Sequence, residues 1–265
     1  MPCAEHFKNL LMKYALLLST SFVLLFSASC TKDAASELTE AGKSGSITRF
    51  TIHQGYLYAL NPNEVLTYSL ANPDKPALVH RLPTDYGLET IIVYDQTIYL
   101  GSRSALYILG IADPAAPVIL SKTPREIAFF GGCDPVVVKE NYAYSTIKII
   151  ENRCGNPNSQ SALLVYDVSD KNNPENVGVY FLNEPNGLGY KDNLLFICDE
   201  GADQIFAFDI SNPLELQSAN ISLPLEDPLD LIVDGNKMIV SARTEFQIYD
   251  LSDLNQIRQI GKIRK

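Results

Sequence analysis

The chain has 265 residues, of which 46% are hydrophobic and 20% charged, with three His, no Trp and a formal net charge of -10. This composition is typical of one large or two small globular domains and excludes a disordered or fibrous chain. The acidic balance argues against a nucleic acid partner, because such affinity depends on Lys and Arg neutralising phosphates. Three histidines also leave little material for a His-rich zinc site or a His-dependent catalytic triad.

The first 29 residues have the pattern of a secretory signal. Lys8 and Lys13 form a basic region, and residues 14–26 form an apolar stretch. This stretch is shorter than the roughly 20 residues that a membrane-spanning helix needs, so it predicts a signal peptide over residues 1–29. Met12 is an alternative start of translation.

Small residues at 27–29 directly precede Cys30, and the apolar residues Leu24 and Leu25 lie just upstream of them. This arrangement resembles a bacterial lipoprotein signal, and the resemblance implies that Cys30 becomes a lipidated N-terminus. An ordinary secretory signal with an incidental cysteine is the alternative. A lipidated chain would have the membrane as a partner and would lie at the outer membrane or cell surface, with a periplasm-facing position left open. Residues 30–46 are small, polar and free of aromatics, which predicts a flexible tether.

Beyond the tether the sequence repeats five times. Each copy contains an apolar run that ends at one turn position, occupied in turn by Ser69, Gly110, Asp167, Asp209 and Asp250. These positions are 41, 57, 42 and 41 residues apart, which indicates a repeat array. A second marker, a small or polar turn residue, lies upstream in each copy, at Gly55, Gln96, Asn141, Asn193 and Asn236. We expect the Asp residues to bond the local backbone in turns rather than to catalyse, because they recur in copies that are not all active sites.

Short apolar runs broken by Gly, Asn, Asp and Pro predict about four β-strands in each copy. In the fourth copy the strands are expected at residues 188–190, 194–198, 205–209 and 216–222. Four antiparallel strands in a unit of about 41 residues are typical of a β-propeller blade. The predicted fold is therefore all-β, a five-bladed β-propeller over residues 47–265. The first and last copies each have a full set of strands, so blades one and five are expected to join by side-chain packing alone.

Three segments carry a family pattern: residues 164–169 (LVYDVS), 206–213 (FAFDISNP) and 132–138 (GCDPVVV). In these segments the chain resembles the LVIVD-repeat family of bacterial surface lipoproteins. The first two copies depart from the pattern, with Ser69 and Gly110 in the Asp position. The resemblance implies a propeller and supplies no catalytic residues.

The third copy is longer than the others, by an insertion near residues 147–160 between its second and third strands. In a propeller blade this loop and the connection between blades emerge on one face, so Cys133 and Cys154 are expected there together. An exported protein meets an oxidising compartment, which predicts a disulfide between them that contributes on the order of 3 kcal/mol. Two unrelated thiols are the alternative. Cys198 lies in an apolar run and is expected to be buried and unreactive.

Polar residues begin the predicted innermost strands on the face that carries the insertion. Aligning the copies predicts a ring of candidate ligand-binding residues at the channel mouth: Arg49, Glu89, Asp134, Asn186 and Asp230. Converging polar groups in a concavity are the default hypothesis for a binding site, and a solvated rim is the alternative. The three carboxylates of this ring are candidates for a calcium site, although the Arg in the same ring opposes a bound cation.

The preferred function is a non-catalytic binding module at the cell envelope, with an envelope protein or a glycan as partner and no cofactor. A metal-assisted, lactonase-like hydrolase using Glu89, Asp134 and Asp230 is one alternative. An accessory subunit of an envelope complex is another. His53 and His80 are expected away from the channel mouth, so neither supports general-base catalysis.

Overall fold

The computed structural model describes residues 44–45 as backbone and residues 48–125, 135–149 and 160–265 in full. Cys30, Cys133, Asp134 and Cys154 lie outside the described residues, as does most of the predicted signal and tether. Glu40–Lys265 forms one compact unit. Within the described residues the chain forms 21 β-strands and one turn of 3-10 helix, Glu200–Ala202. No helix in that part of the chain is long and apolar enough to cross a membrane.

Twenty of the strands form five four-stranded antiparallel sheets, each with its strands in chain order. Blade one contains β2 (Phe50–His53), β3 (Tyr56–Asn61), β4 (Glu64–Ser69) and β5 (Ala77–Pro83). Blade two contains β6 (Leu88–Tyr94), β7 (Thr97–Ser102), β8 (Ala105–Gly110) and β9 (Val118–Pro124). Blade three contains β10 (Val136–Lys139), β11 (Tyr142–Ile147), β12 (Ala162–Asp167) and β13 (Glu175–Phe181). Blade four contains β14 (Pro185–Lys191), β15 (Leu194–Asp199), β16 (Gln204–Asp209) and β17 (Gln217–Pro224), and blade five contains β18 (Pro228–Asp234), β19 (Lys237–Ala242), β20 (Glu245–Asp250) and β21 (Arg258–Arg264).

The prediction of an all-β protein with five blades of four strands is confirmed. The first strands of successive blades, β2, β6, β10, β14 and β18, are the inner strands, and neighbours among them pack together from β2 to β18. The fourth strand of each blade is outermost, and its pairing with the third strand shifts register once in every blade. Such irregularities increase the local twist of a sheet.

The recurring Asp has the turn role that the sequence predicts. Carboxylate Oδ1 atoms accept hydrogen bonds from the backbone N–H two residues on: Asp167 from Ser169 (2.9 Å), Asp209 from Ser211 (2.8 Å) and Asp250 from Ser252 (2.9 Å). Ser69 makes a longer bond of 3.3 Å to the Ala71 N–H, and Gly110 has no side chain to do so. The turns of the first two copies are therefore less tightly held.

Apolar residues fill the junctions between successive blades. A buried aromatic in the second strand, at Tyr58, Tyr99, Tyr144 or Phe196, faces the next blade in the chain. Each belongs to the same core cluster as two residues of the next inner strand, such as Ile91 and Val93 for Tyr58. Four junctions, from blades one and two to blades four and five, share this arrangement.

The junction between blades five and one differs from the other four. Phe50 and Ile52 of β2 are 58% and 59% exposed, although their equivalents in the other blades are buried. On the opposite side Ile239 stands where the other blades have Tyr or Phe, and it is 38% exposed. Among the described residues no buried core cluster joins blades one and five, so the side-chain packing expected between them is not seen there.

The propeller has two faces, which differ in the connections they carry. The insertion face carries the loops between second and third strands and the connections from one blade to the next. These loops have two residues in blades one, two and five, whereas in blade three the second strand ends at Ile147 and the third begins at Ala162. Most of the expected insertion lies outside the described residues. The turn face carries the tight turns between first and second strands, such as Asn236 in blade five.

A further strand, β1 (Ser44–Gly45), lies at the centre of the molecule. It pairs antiparallel with the free edge of the inner strand β14, with Ser44 opposite Gly189 and Gly45 opposite Leu188. β1 also approaches β10 and β18, the inner strands of the two adjoining blades. Two residues that the sequence assigns to the tether are therefore part of the sheet of blade four.

Candidate functional site

Four of the five predicted ring residues begin inner strands at the insertion face. Arg49 directly precedes β2, Glu89 is the second residue of β6, Asn186 the second of β14 and Asp230 the third of β18. The fifth, Asp134, is outside the described residues. Repeat alignment predicts these four residues near the start of the inner strands, at two adjacent positions, without indicating which of them meet.

Lys148 of blade three makes two ion pairs with blade four. Its Nζ lies 2.7 Å from Glu184 Oε2 and 2.5 Å from Glu200 Oε2. Lys148 follows β11 directly, and Glu200 follows β15 directly, so both stand where a second strand reaches the insertion face. Both side chains are 14% exposed, which limits screening of the pair by solvent.

Arg243 joins blade five to the same carboxylate. Its Nη2 lies 2.5 Å from Glu200 Oε1, and its Nε lies 2.8 Å from Asp227 Oδ2. Glu200 therefore binds a cation with each oxygen, one from blade three and one from blade five. We call Lys148, Glu184, Glu200, Asp227 and Arg243 the charged network.

Asn186 adds uncharged links among the same three blades. Its Nδ2 donates to Glu200 Oε2 at 3.0 Å and to the Pro228 carbonyl at 3.1 Å. The Asn186 backbone carbonyl accepts a 2.6 Å hydrogen bond from the Thr146 hydroxyl of blade three. The predicted ring residue Asn186 is thus hydrogen-bonded directly to the charged network.

Asp230 sits against the backbone of β14. A Cβ added to Gly187 would lie 2.2 Å from Asp230 Oδ1 and 2.6 Å from Asp230 Cα. Only Gly allows so close an approach of the two inner strands. The Asp230 carboxylate also accepts a 2.9 Å hydrogen bond from the Leu231 N–H. It therefore lies beside Asn186 and contributes to the packing of blades four and five.

Glu89 and Arg49 are held by other contacts. Glu89 Oε1 accepts a 2.7 Å hydrogen bond from Arg103 Nε within blade two, and Glu89 Oε2 is buried without a hydrogen-bond partner among the described residues. The Arg49 carbonyl accepts a hydrogen bond from the Leu60 N–H at 2.8 Å. Within residues 48–125, 135–149 and 160–265 no three His, Cys, Asp or Glu side chains cluster closely enough to hold a metal ion.

The charged network was not found from the sequence, although a signal for it exists. Counted from the upstream turn marker, one position directly after the second strand is occupied by Arg103, Lys148, Glu200 and Arg243. In three blades the backbone N–H of the residue at this position donates to the carbonyl of the residue directly before the inner strand. These bonds run from Arg103 to Gly87, from Glu200 to Glu184 and from Arg243 to Asp227. This repeated bond fixes the charged side chains at the channel mouth.

The network shifts the protonation of its members. Burial alone would lower the pKa of Lys148, but hydrogen bonds to Glu184 and Glu200 outweigh it, so the pKa is raised. Burial likewise opposes ionisation of Glu200. Hydrogen bonds from Lys148 and Asn186, with the charges of Lys148 and Arg243, nevertheless lower its pKa. Both groups are therefore firmly charged at neutral pH.

Three other reactive side chains of the described residues, Cys198, His53 and His80, are not part of the charged network. Burial, followed by the charges of Asp230 and Asp199, raises the pKa of the Cys198 thiol, as expected for an unreactive cysteine. His53 ends β2 at the turn face, and His80 lies in the outer strand β5, as the sequence predicts. Burial lowers the pKa of His53.

A cavity of about 390 Å³ opens at the turn face between blades four and five. Its lining is mainly polar and includes Asp209, Asn220 and Asn255. Because the cavity and the charged network lie on opposite faces, the two belong to different surfaces.

The sequence matches no known family description and no curated protein. Among solved structures, a functionally unknown protein from Desulfotomaculum acetoxidans is similar, with a TM-score of 0.64, 8% identity, and coverage of 86% of this chain and 71% of that one. A candidate 6-phosphogluconolactonase from Bacteroides fragilis has a TM-score of 0.61 and 10% identity, with coverage of 81% of this chain and 69% of that one. BamB from Moraxella catarrhalis has a TM-score of 0.51 and 12% identity, with coverage of 82% of this chain and 63% of that one.

The chain has the β-propeller fold. The neighbours are propellers that include both a candidate lactonase and BamB. Because all the identities are low, the likeness concerns the fold alone. Function must therefore be argued from the residues of the insertion face.

Proposed function

We propose that the protein is a cell-envelope lipoprotein whose propeller is a non-catalytic binding module of the LVIVD-repeat type. Cys30 carries the lipid that attaches it to the outer membrane or cell surface. The insertion face binds an envelope protein or a glycan. The charged network of Lys148, Glu184, Glu200, Asp227 and Arg243 is the observation that carries this proposal.

The network supports recognition because its charged groups hold one another in place. Its carboxylates and cations are held by one another across three blades, so a partner would meet a fixed pattern of charge and pay little to order it. Asn186 and the exposed parts of Glu184 and Arg243 offer both donors and acceptors. Such a mixed surface suits the hydroxyls of a glycan or the polar rim of a protein interface.

The pKa of the carboxylate at the centre of the charged network supports a binding role for that group. A general acid needs a raised pKa to hold its proton at neutral pH. At Glu200 the pKa is instead lowered. The buried thiol of Cys198 is likewise unsuited to nucleophilic attack.

A thermal-shift screen of residues 40–265 tests the binding proposal. Envelope glycans, their component sugars and divalent ions are added separately, and a ligand that binds the folded state raises the melting temperature. We expect a glycan-induced rise that is lost in Arg243→Ala and kept in Arg81→Ala, which changes a cation of the outer strand. A glycan shift that Arg243→Ala leaves intact would place the binding site elsewhere.

A metal-assisted, lactonase-like hydrolase remains the second candidate. The buried Glu89 Oε2 without a described partner, and the fold shared with a candidate lactonase, favour it. It would use Glu89, Asp134 and Asp230 around calcium. A rise in melting temperature with calcium that Asp134→Ala abolishes would support this function, and the absence of a rise would count against it.

An accessory role in an envelope complex is a further form of the binding proposal. In that case the partner is a protein and no small ligand shifts the melting temperature. Cross-linking of the lipidated chain in its own envelope, followed by mass spectrometry, would distinguish the cases. Cross-links from the insertion face to one defined protein support this role.

A further inference from the structure

The pairing of β1 with β14 gives the direction in which the chain runs through the central channel at Ser44 and Gly45. β14 runs from the insertion face at Pro185 to the turn face at Lys191, because a blade connection precedes it and a tight turn follows it. β1 is antiparallel to β14, so it runs the opposite way. Ser44 is therefore the end nearer the turn face, and Gly45 is the end nearer the insertion face.

The next described residues are consistent with this direction. The Thr48 carbonyl accepts a 3.0 Å hydrogen bond from the Ile91 N–H of β6. β2 then begins at Phe50 on the insertion face and descends to the turn at Gly55. The chain thus ascends the channel as β1, reverses at the insertion face and descends as β2.

From this route we propose that the chain enters the channel at Ser44 from the turn face, so the anchored protein presents its turn face to the membrane and its insertion face away from it. The orientation rests on the lipid anchor proposed above, whereas the channel route does not. The charged network would then stand on the far side of the propeller, available to a partner in solution or on a facing surface.

The route also gives the propeller a built-in occupant of its channel. The inner edge of β14 bonds to the chain's own N-terminal segment, so an extended peptide reaches this edge only by displacing β1. Within the described part of the chain the pairing involves Ser44 and Gly45. Ligands of the propeller are therefore expected to bind over the mouth rather than to pass through the channel.

Two label positions in blade five report the orientation. Asn236 precedes β19 at the turn face, and Thr244 follows it at the insertion face, and both are exposed. They lie roughly 26 Å apart at about 3.3 Å per residue of strand. Each is changed to Cys in the full chain and labelled with a fluorophore. The parent chain gives the background, and Cys198 is buried.

The labelled full chain is reconstituted in phosphatidylethanolamine and phosphatidylglycerol vesicles that contain a spin-labelled headgroup lipid. Mass spectrometry first establishes whether Cys30 is lipidated. We expect greater loss of fluorescence for Asn236→Cys than for Thr244→Cys. Equal losses, or a greater loss for Thr244→Cys, would overturn the orientation.

Amide hydrogen exchange tests the channel route without the anchor. Deleting residues 40–46 should make the one amide of residues 188 and 189 that faces β1 exchange about tenfold faster, while those of residues 205–209 keep their rate. Unchanged exchange at both residue 188 and residue 189 would overturn the route. If Cys30 carries no lipid, the anchor and the orientation both fail, and the exchange result still decides the route.

Discussion

Lys148 of blade three and Glu200 of blade four form an ion pair of 2.5 Å between Nζ and Oε2, and the second oxygen of Glu200 pairs with Arg243 of blade five. One carboxylate therefore holds three blades together at the insertion face. The pair is shielded from solvent, unlike surface ion pairs, which contribute little. Its contribution to stability is consequently measurable.

Glu200→Gln should lower the free energy of unfolding by about 1–3 kcal/mol, because Lys148 and Arg243 lose a charged partner in a partly buried site. Urea unfolding of residues 40–265 measures the change. Arg81→Gln is the matched control, since Arg81 pairs with Glu64 at the outer strand and its side chain is 57% exposed. We expect at most about 1 kcal/mol there. Equal losses in the two variants would contradict a structural role for the network.

The protein should become less stable as the pH falls towards 3. Hydrogen bonding to Ser169, Ser211 and Ser252 lowers the pKa of Asp167, Asp209 and Asp250 from 3.8, and the network lowers that of Glu200 from 4.5. A lowered pKa adds stability above the ordinary value, and that stability is lost as the pH falls through the lowered value. Urea midpoints at pH 7, 5, 4 and 3 measure it. Asp209→Asn should flatten the profile, and a profile as steep as that of the parent would be evidence against the turn role.

Phe50→Ala should change the stability by less than about 1 kcal/mol, because its side chain is 58% exposed. The equivalent change Ile91→Ala should cost about 2–4 kcal/mol, since Ile91 is buried between blades one and two. Denaturant unfolding of both variants gives the comparison. A cost for Phe50→Ala equal to that for Ile91→Ala would mean that blades one and five pack together in solution.

Gly187→Ala should destabilise the protein by about 1–3 kcal/mol, because the new methyl group would clash with the backbone and carboxylate of Asp230. Gly261→Ala is the control: there a Cβ would meet the flexible Ile248 Cδ1 at 3.2 Å, which is free to shift. Thermal unfolding of the two variants distinguishes them. A smaller effect at Gly187 than at Gly261 would show that β14 and β18 separate at little cost.

The predicted Cys133–Cys154 disulfide is tested by thiol counting. The denatured, unreduced propeller should show one free thiol, that of Cys198. Reduction should lower the stability by about 3 kcal/mol. The variant Cys133→Ser, Cys154→Ser should match the reduced protein. Three free thiols in protein from an oxidising compartment would rule out the bridge.

Much of the fold follows from the sequence because its signals are local and repeated. The strands expected in the fourth copy agree with β14 to β17 within a few residues, since each is bounded by Asn, Asp, Gly or Pro. The Asp turns were predicted for the same reason. Aligning the copies also predicts that Asn186 and Asp230 lie near the start of their inner strands.

The contacts between blades were beyond sequence reasoning. That Lys148 meets Glu200 depends on the angle between two blades, and that angle depends on how their aromatic residues pack. The sequence likewise does not predict the exposed junction at Ile239, because an Ile and a Tyr are equally compatible with a strand. The pairing of Ser44 with β14 joins segments about 145 residues apart, and nothing in a polar tether indicates it.

The most direct test of a non-catalytic propeller is an assay of lactone hydrolysis by the full chain. Sugar and aliphatic lactones are offered with calcium, with other divalent ions and with a chelator. A non-catalytic propeller should leave the rate of lactone hydrolysis at that of buffer in every case. A metal-dependent rate above buffer that is lost in Glu89→Gln and in Asp134→Ala would contradict it and establish the channel mouth as an active site.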